Sequence, residues 1–436
     1  MSKFGDLQTT IVTLLVGSLL IGLSFAALLP PFEGFDETAH YSYIEQIAET
    51  GAWPRLNDPI AAEVSDYLDA APAPTSLHAR WSYRAFFAAP PETIAQGRAV
   101  VHTPRDPSRP WRPSTAPYNN NWEGQHPPLY YALMAPIFNL SKGWSFERQF
   151  LLLRGFSYLI AWIGLCIVTF SPSVKLEHGQ APKTAMALAP ALWPALFPMW
   201  FIEMARLGND CLVTFWAACA AVLILRLSLK AGLLNYVLLG LVCGLGLLTK
   251  ATFLPLTAAI LLFLFYRTWT ARGERLQFQE FARGLAAFVA IVIVISGWWY
   301  GKNLYDTGSL IGANDELQLS EKGNLVVLAL DKFQTIPLRV LIGQLLAVGL
   351  TFVWAGTWSF VMPSLLSELP LLILLFIIVV SLGTCLVLGW ALSPSASLSC
   401  SLCDDLRRNL LSAFVSANSR SHGGTGIGGS SALARG

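Results

Sequence analysis

Apolar runs long enough to cross a bilayer recur along this chain, and they constrain its fold more than any motif does. A spanning helix needs roughly 20 mostly apolar residues, because every backbone N–H and C=O in hydrocarbon must be paired internally. Candidate spans lie at residues 9–29, 150–170, 184–202, 211–229, 232–248, 251–266, 283–300, 338–361 and 369–391. With 54% hydrophobic and 13% charged residues the chain is too apolar for a soluble globular protein, so lipid is its expected solvent. The expected fold is an all-α polytopic membrane protein. The first run is too long for a signal-peptide core and lacks a small-residue cleavage site before Pro30 and Pro31, so it reads as a retained span. Residues 127–140 are short for a span and read as an interfacial or re-entrant helix.

Basic residues set the orientation, since cytoplasmic loops carry the excess of Lys and Arg. The loop with Arg267, Arg272, Arg275 and Arg283 is the clearest inside segment, and counting back places Arg226 with Lys230, and Lys175 with Lys183, on that side. Residues 30–126, 203–210, 249–250 and 301–337 then lie outside, the first of these being a large external loop. A net charge of +2 spread over short loops excludes a nucleic-acid footprint. The large loop contains no cysteine and hence no disulfide framework, and Cys400 with Cys403 has CxxC spacing without a second pair. Residues 392–436 turn Ser-rich and then Gly/Ser-rich, a composition that cannot bury a core; they are expected to be a disordered or aberrant tail behind a transmembrane domain spanning 1–391.

Directly after the first span comes PPFEGFDETAHYSYIEQIAETGAWP. Ala39, Tyr43, Ile44, Ile47 and Ala48 fall on one face at helical spacing and Gly51 is a suitable C-cap, which predicts a short amphipathic helix at the outer membrane surface. Asp36 and Glu37 occupy its first turn and His40 lies one turn on. Asp36 could simply cap that helix. Other polar groups gather on the same side: His126 in QHPPLYY, then Glu203, Arg206, Asn209 and Asp210, and Lys250 in LLTK. Charges this close to span ends are expensive unless paired or used. Arg206 and Asp210, one turn apart, could pair structurally, and Lys250 could snorkel or meet a lipid phosphate. Trp298, Trp299 and Tyr300 read as an aromatic belt.

In their order and placement, GFDETAHY, QHPPLYY, ARLGND, GLLTKATFLP and GWWYGKNLYDTGSLIG resemble the GT-C superfamily of membrane glycosyltransferases, and more narrowly an uncharacterised bacterial membrane family grouped with it. The resemblance covers residues 1 to about 360. It implies a GT-C-like helix bundle in a bacterial inner membrane, a first external loop with interfacial helices, and a polyprenyl-phosphate-linked sugar as donor. It also implies a catalytic acid in that loop, Asp36 first and Glu37 second, with Asp210 as a second acidic group and Lys250 at the donor phosphate. His40, His126 and Arg206 complete the expected substrate-binding set. The departure is at the C-terminus, where the family commonly carries further spans or a soluble domain.

A sugar on a lipid phosphate already has a good leaving group, so an enzyme need mainly deprotonate an acceptor hydroxyl and offset charge on phosphate. Asp36 as base with Lys250 or Arg206 as cation suffices, and a single displacement inverts the anomeric carbon. A divalent metal held by Asp36, Asp210 and His126 is the alternative to the cation. Competing functions are a transporter or lipid flippase, which would place ionisable groups near the midplane, and a catalytically silent polysaccharide-assembly protein. The partners expected are the sugar donor and membrane lipids, with the acceptor open.

Overall fold

The computed structural model describes residues 2–56, 58–116, 120–171, 182–229, 232–312, 336–353 and 356–359. The expected span at 369–391 and the tail at 392–436 lie outside these residues. Helices α1 (Ser2–Leu28), α7 (Phe146–Thr169), α10 (Asp210–Leu229), α12 (Leu254–Thr270) and α13 (Arg275–Thr307) each supply a stretch long and apolar enough to cross a membrane. They keep large apolar side chains on their surfaces, among them Leu20, Leu262 and Val294, each more than 60% exposed. Such surface is stable against lipid and unfavourable in water. No strand forms among the described residues; four isolated bridges, such as Pro59 with Asn120, stitch the loop between α1 and α7.

Two expected spans take a different form. Residues 184–202 are not one helix: α8 (Pro182–Leu196) and α9 (Met199–Ala205) meet at an 88° bend. Pro194 and Pro198 account for it, since a proline lacks the N–H for the helical ladder and its ring clashes with the preceding turn. The run at 232–248 forms α11 (Leu233–Leu247), which at 15 residues is shorter than a full span. At the C-terminal side, α14 (Leu338–Val353) covers the first part of the run at 338–361.

Packing follows small residues. Gly240 and Gly244, four apart on α11, face α13 so closely that a Cβ at Gly240 would sit 2.9 Å from the Phe288 carbonyl, and one at Gly244 would sit 2.7 Å from the Ile295 side chain. Close approach of this kind brings dispersion contacts that lipid cannot match. α10 bridges α7 to α11, and α1 lies against α7, α8 and α9.

The loop from residue 29 to 128 folds into α2 (Glu37–Thr50), α3 (Ala62–Ala70), α4 (Tyr83–Phe87) and α5 (Pro91–His102), followed by α6 (Leu129–Leu140). As expected, α6 is short for a span, and Gly51 closes α2 in the left-handed conformation. The amphipathic expectation for α2 needs correction. All ten residues from Glu37 to Gln46 are buried, so the helix is enclosed on every side rather than floating on a surface. Most of its polar groups are tolerated inside because they find partners, Glu37 from Arg154, His40 from Tyr131 and Tyr41 from Gln149.

One helix orients the whole. Arg275 begins α13 and Trp299 lies 24 residues on, about 36 Å along the axis. Trp53 of the loop meets Trp298 and Trp299 at 6.2 Å between ring centroids. The loop therefore sits at one end of the helices and the arginines Arg267, Arg272 and Arg275 at the other.

Candidate functional site

Glu37 anchors the end of the molecule that carries the loop. Its carboxylate is 0% exposed and receives Arg154 from α7 in a two-pronged pair, Nε to Oε1 at 2.7 Å and Nη2 to Oε2 at 2.6 Å. The backbone N–H groups of Gly34 and Leu207 donate to the same carboxylate at 3.0 and 2.8 Å. Arg154 also donates to the Pro30 carbonyl at 2.9 Å and to the Leu29 carbonyl, capping the end of α1. Every lone pair and proton of this buried pair is thus used, which is the condition for such a pair to be stable. Glu37 holds three chain segments together and faces no cleft.

Asp36 behaves differently. It stands at the N-cap of α2 but adopts a left-handed backbone at φ 63°, and its side chain makes no cap hydrogen bond. Its half-buried carboxylate instead accepts from Trp122 Nε1 at 3.1 Å. The capping explanation for an acid at this position therefore fails. Beside it, Arg206 donates to the Phe35 carbonyl at 2.6 Å and so pins the residue before Asp36.

Arg206 is the hub of an ion network. It pairs with Glu203 at 2.8 Å and with Asp210, the first residue of α10, at 2.7 Å. Lys250, extended in the break after α11, holds the same Asp210 from the other side at 2.8 and 3.0 Å. The side chains of Asp210 and Lys250 remain 25% and 17% exposed, so this part of the network is open to a ligand. Its neighbouring acids hold Arg206 above even its usual high pKa, despite burial.

A second network lies behind. Tyr131 Oη donates to Glu123 Oε2 at 3.1 Å, accepts from Asn209 Nδ2 at 3.4 Å and lies 3.0 Å from His40 Nδ1. His126 Nε2 is 3.1 Å from the same Glu123 oxygen. Burial pushes the Glu123 carboxyl up to about 8 against the pull of Lys250, and pushes His126 down to about 3 with Lys250 adding to the effect. Burial, with Arg206 and Lys250 nearby, likewise lowers His40. At neutral pH these groups are an acid and two neutral imidazoles. Hydrogen bonds then run in one direction, from His40 Nδ1–H to Tyr131 to Glu123 to His126 Nε2, with each donor matched to an acceptor.

All seven residues singled out in sequence, Asp36, Glu37, His40, His126, Arg206, Asp210 and Lys250, thus converge on one end of the helices. The metal set does not form: among the described residues no three His, Cys, Asp or Glu side chains are arranged to hold an ion, and both oxygens of Asp210 are engaged by cations. Sequence reasoning missed Trp122, Glu123 and Arg154. Arg154 carried a signal, since a lone arginine inside an apolar run requires a partner. Glu123 carried a weaker one, an acid three residues before His126.

Fold and cluster together define an α-helical membrane protein with a polar site at one end of its spans. No family model, curated protein or solved structure matches the chain.

Proposed function

We propose that the protein is a GT-C-like glycosyltransferase that moves a sugar from a polyprenyl-phosphate carrier to an acceptor hydroxyl at the outer face of a bacterial inner membrane, in cell-envelope glycan or glycolipid synthesis. The observation that carries the reading is the Asp36 carboxylate. It is withheld from helix capping, steadied by Trp122, and set beside the Arg206, Asp210 and Lys250 network at a span end, where a lipid headgroup would arrive.

In the proposed reaction Asp36 takes the proton of the acceptor hydroxyl. The hydroxyl oxygen bonds to the anomeric carbon as the bond from that carbon to the phosphate oxygen breaks, with inversion. The bonding pair stays on the lipid phosphate, whose added charge Lys250 offsets, Arg206 holding Asp210 and the Asp36 segment in place. Glu37 becomes a positioning residue through its bond to Arg154. Support also comes from the location of the ionisable cluster, at the helix ends rather than the midplane where a transporter would need it.

The test is transfer of radiolabelled sugar from a panel of polyprenyl-phosphate sugars by protein in lipid. Asp36→Asn is expected to lose about 10²- to 10⁴-fold in rate, the usual worth of a general base, with its melting temperature kept. Transfer that survives Asp36→Asn removes the assigned base, and no turnover by the wild type across the panel favours the catalytically silent assembly protein.

A further inference from the structure

Two residues of the turn before α2 adopt a left-handed backbone although neither is glycine: Phe32 at φ 67° and Asp36 at φ 63°. Such residues persist only where their surroundings hold them, so the contacts of residues 32–36 decide the shape of the turn that delivers Asp36. Phe32 is fully buried among rings, 5.0 Å from Tyr67 and 5.2 Å from Phe150 between centroids. At Gly34 a Cβ would stand 2.6 Å from that of Arg206 and 2.7 Å from the Glu37 carboxyl carbon, so the turn is pressed against both. Phe35 and Asp36 are only half-buried, and there the turn reaches the surface.

A segment from beyond α14 meets the turn at this point. Thr357 Oγ1 and the Ser359 N–H donate to Glu33 Oε2 at 2.9 and 3.1 Å, across 324 and 326 residues of chain, and the Trp358 N–H donates to the Glu33 carbonyl at 3.2 Å. Glu33 is 0% exposed, with the Tyr83 hydroxyl beside its carboxyl. A carboxyl buried to that degree is costly unless its hydrogen bonds are made, so Glu33 and the segment hold each other. The latch sets the Trp358 ring edge-on against Phe35, with centroids 4.9 Å apart at 79°. Trp358 itself stays 37% exposed, so the latch places it there rather than enclosure in a core. Phe35 is thus gripped twice, at its carbonyl by Arg206 and at its ring by Trp358, and Asp36 is the next residue.

We propose that residues 356–359 form a strap, latched by Glu33, that holds Phe35 and thereby fixes the backbone at Asp36. On the reading of Asp36 as the base, and resting on it, Trp358 and Glu33 are positioning residues for sugar transfer.

Hydrogen exchange read by mass spectrometry on the full chain in lipid nanodiscs tests the strap without turnover. In the wild type the Glu33 and Gly34 N–H groups are bonded, to the Pro30 carbonyl and the Glu37 carboxylate. Trp358→Ala is expected to speed exchange over residues 30–36 about tenfold or more while α11 is unchanged. Thr357→Val, which removes one donor from the latch, should speed it about three- to tenfold. Trp358→Phe, which keeps a ring against Phe35, should stay within about threefold of wild type. Exchange over residues 30–36 that neither Trp358→Ala nor Thr357→Val alters, or a rise shared equally by α11, overturns the strap. In the transfer assay Trp358→Ala is expected to lower kcat about 10- to 100-fold with KM for the donor kept, and Trp358→Phe to retain kcat. Unchanged kcat beside faster exchange overturns the positioning role. A wild type that transfers no sugar is a failure of the transferase reading, and the exchange measurement still decides the strap.

Discussion

Asp36 holds a left-handed backbone, and that fixes how its role can be tested. For a side chain with a Cβ, positive φ costs roughly 1–2 kcal/mol, and asparagine and aspartate tolerate it best. Asp36→Asn therefore changes the charge while keeping the backbone, whereas Asp36→Ala confounds loss of a base with strain. Glu37 and Arg154 present the reverse case. Arg154→Met is expected to destabilise the protein by about 3–5 kcal/mol, because it strands a buried carboxylate, and thermal melting in detergent reads this directly. Glu123 and His126 make a pH prediction. The Glu123 carboxyl is raised from 4.5 to about 8, so its contribution is full below 4.5 and is lost as pH rises through about 8. His126 is lowered from 6.5 to about 3, so its contribution is present above 6.5 and is lost as pH falls through about 3. The two slopes cancel between pH 4.5 and 6.5, and stability falls on either side. Glu123→Gln should remove the alkaline limb, on the order of 2 kcal/mol between about pH 6.5 and 8, measured as the difference in melting temperature from wild type. Asp36, His40, His126, Arg206, Asp210 and Lys250 were legible because polar and charged groups at a span end demand a use. What joins them was not: the pairing of Glu37 with Arg154 crosses 117 residues, and no local pattern reports a contact of that range.

Helix existence was legible from apolar runs because hydrocarbon leaves the backbone few choices. Helix shape was less so. Two prolines split the run at 184–202 into α8 and α9, and the run's hydropathy masked a break that Pro194 and Pro198 announce. The buried state of α2 was hidden for another reason. Its Glu, His and Tyr side chains look solvated in sequence, and they are stable inside through partners distant in the chain, among them Tyr131 of α6, Gln149 and Arg154 of α7, and Arg105. The contact between α11 and α13 carries this scale's prediction. Gly244→Val should destabilise by about 1–3 kcal/mol through overpacking against Ile295, seen as a lower melting temperature in detergent. Gly301→Ala on α13, where a Cβ meets nothing within 4 Å, is the control and should be neutral or stabilise by up to about 1 kcal/mol.

Among the described residues, the loop with its polar cluster and the arginines Arg267, Arg272 and Arg275 lie at opposite ends of the helices. Labelling should expose that polarity: Thr115→Cys, on the exposed loop, and Arg272→Cys, in the turn between α12 and α13, are expected to react with membrane-impermeant maleimide from opposite sides of intact cells and inverted vesicles. Reaction of both from one side contradicts the arrangement of spans. The described native cysteines, at 166, 211, 219 and 243, are buried or partly buried in helices and offer a low background.

The clamp between Glu37 and Arg154 also sets an order of events during biosynthesis. A chain leaving the ribosome presents Glu37 long before Arg154, and until α7 has been inserted the carboxylate has no guanidinium to receive. The external loop must wait, hydrated and open, for a helix that has not yet been made. A nascent chain stopped before α7 should therefore carry a loop that proteases cut readily, and release past Phe146–Thr169 should be the moment at which it closes.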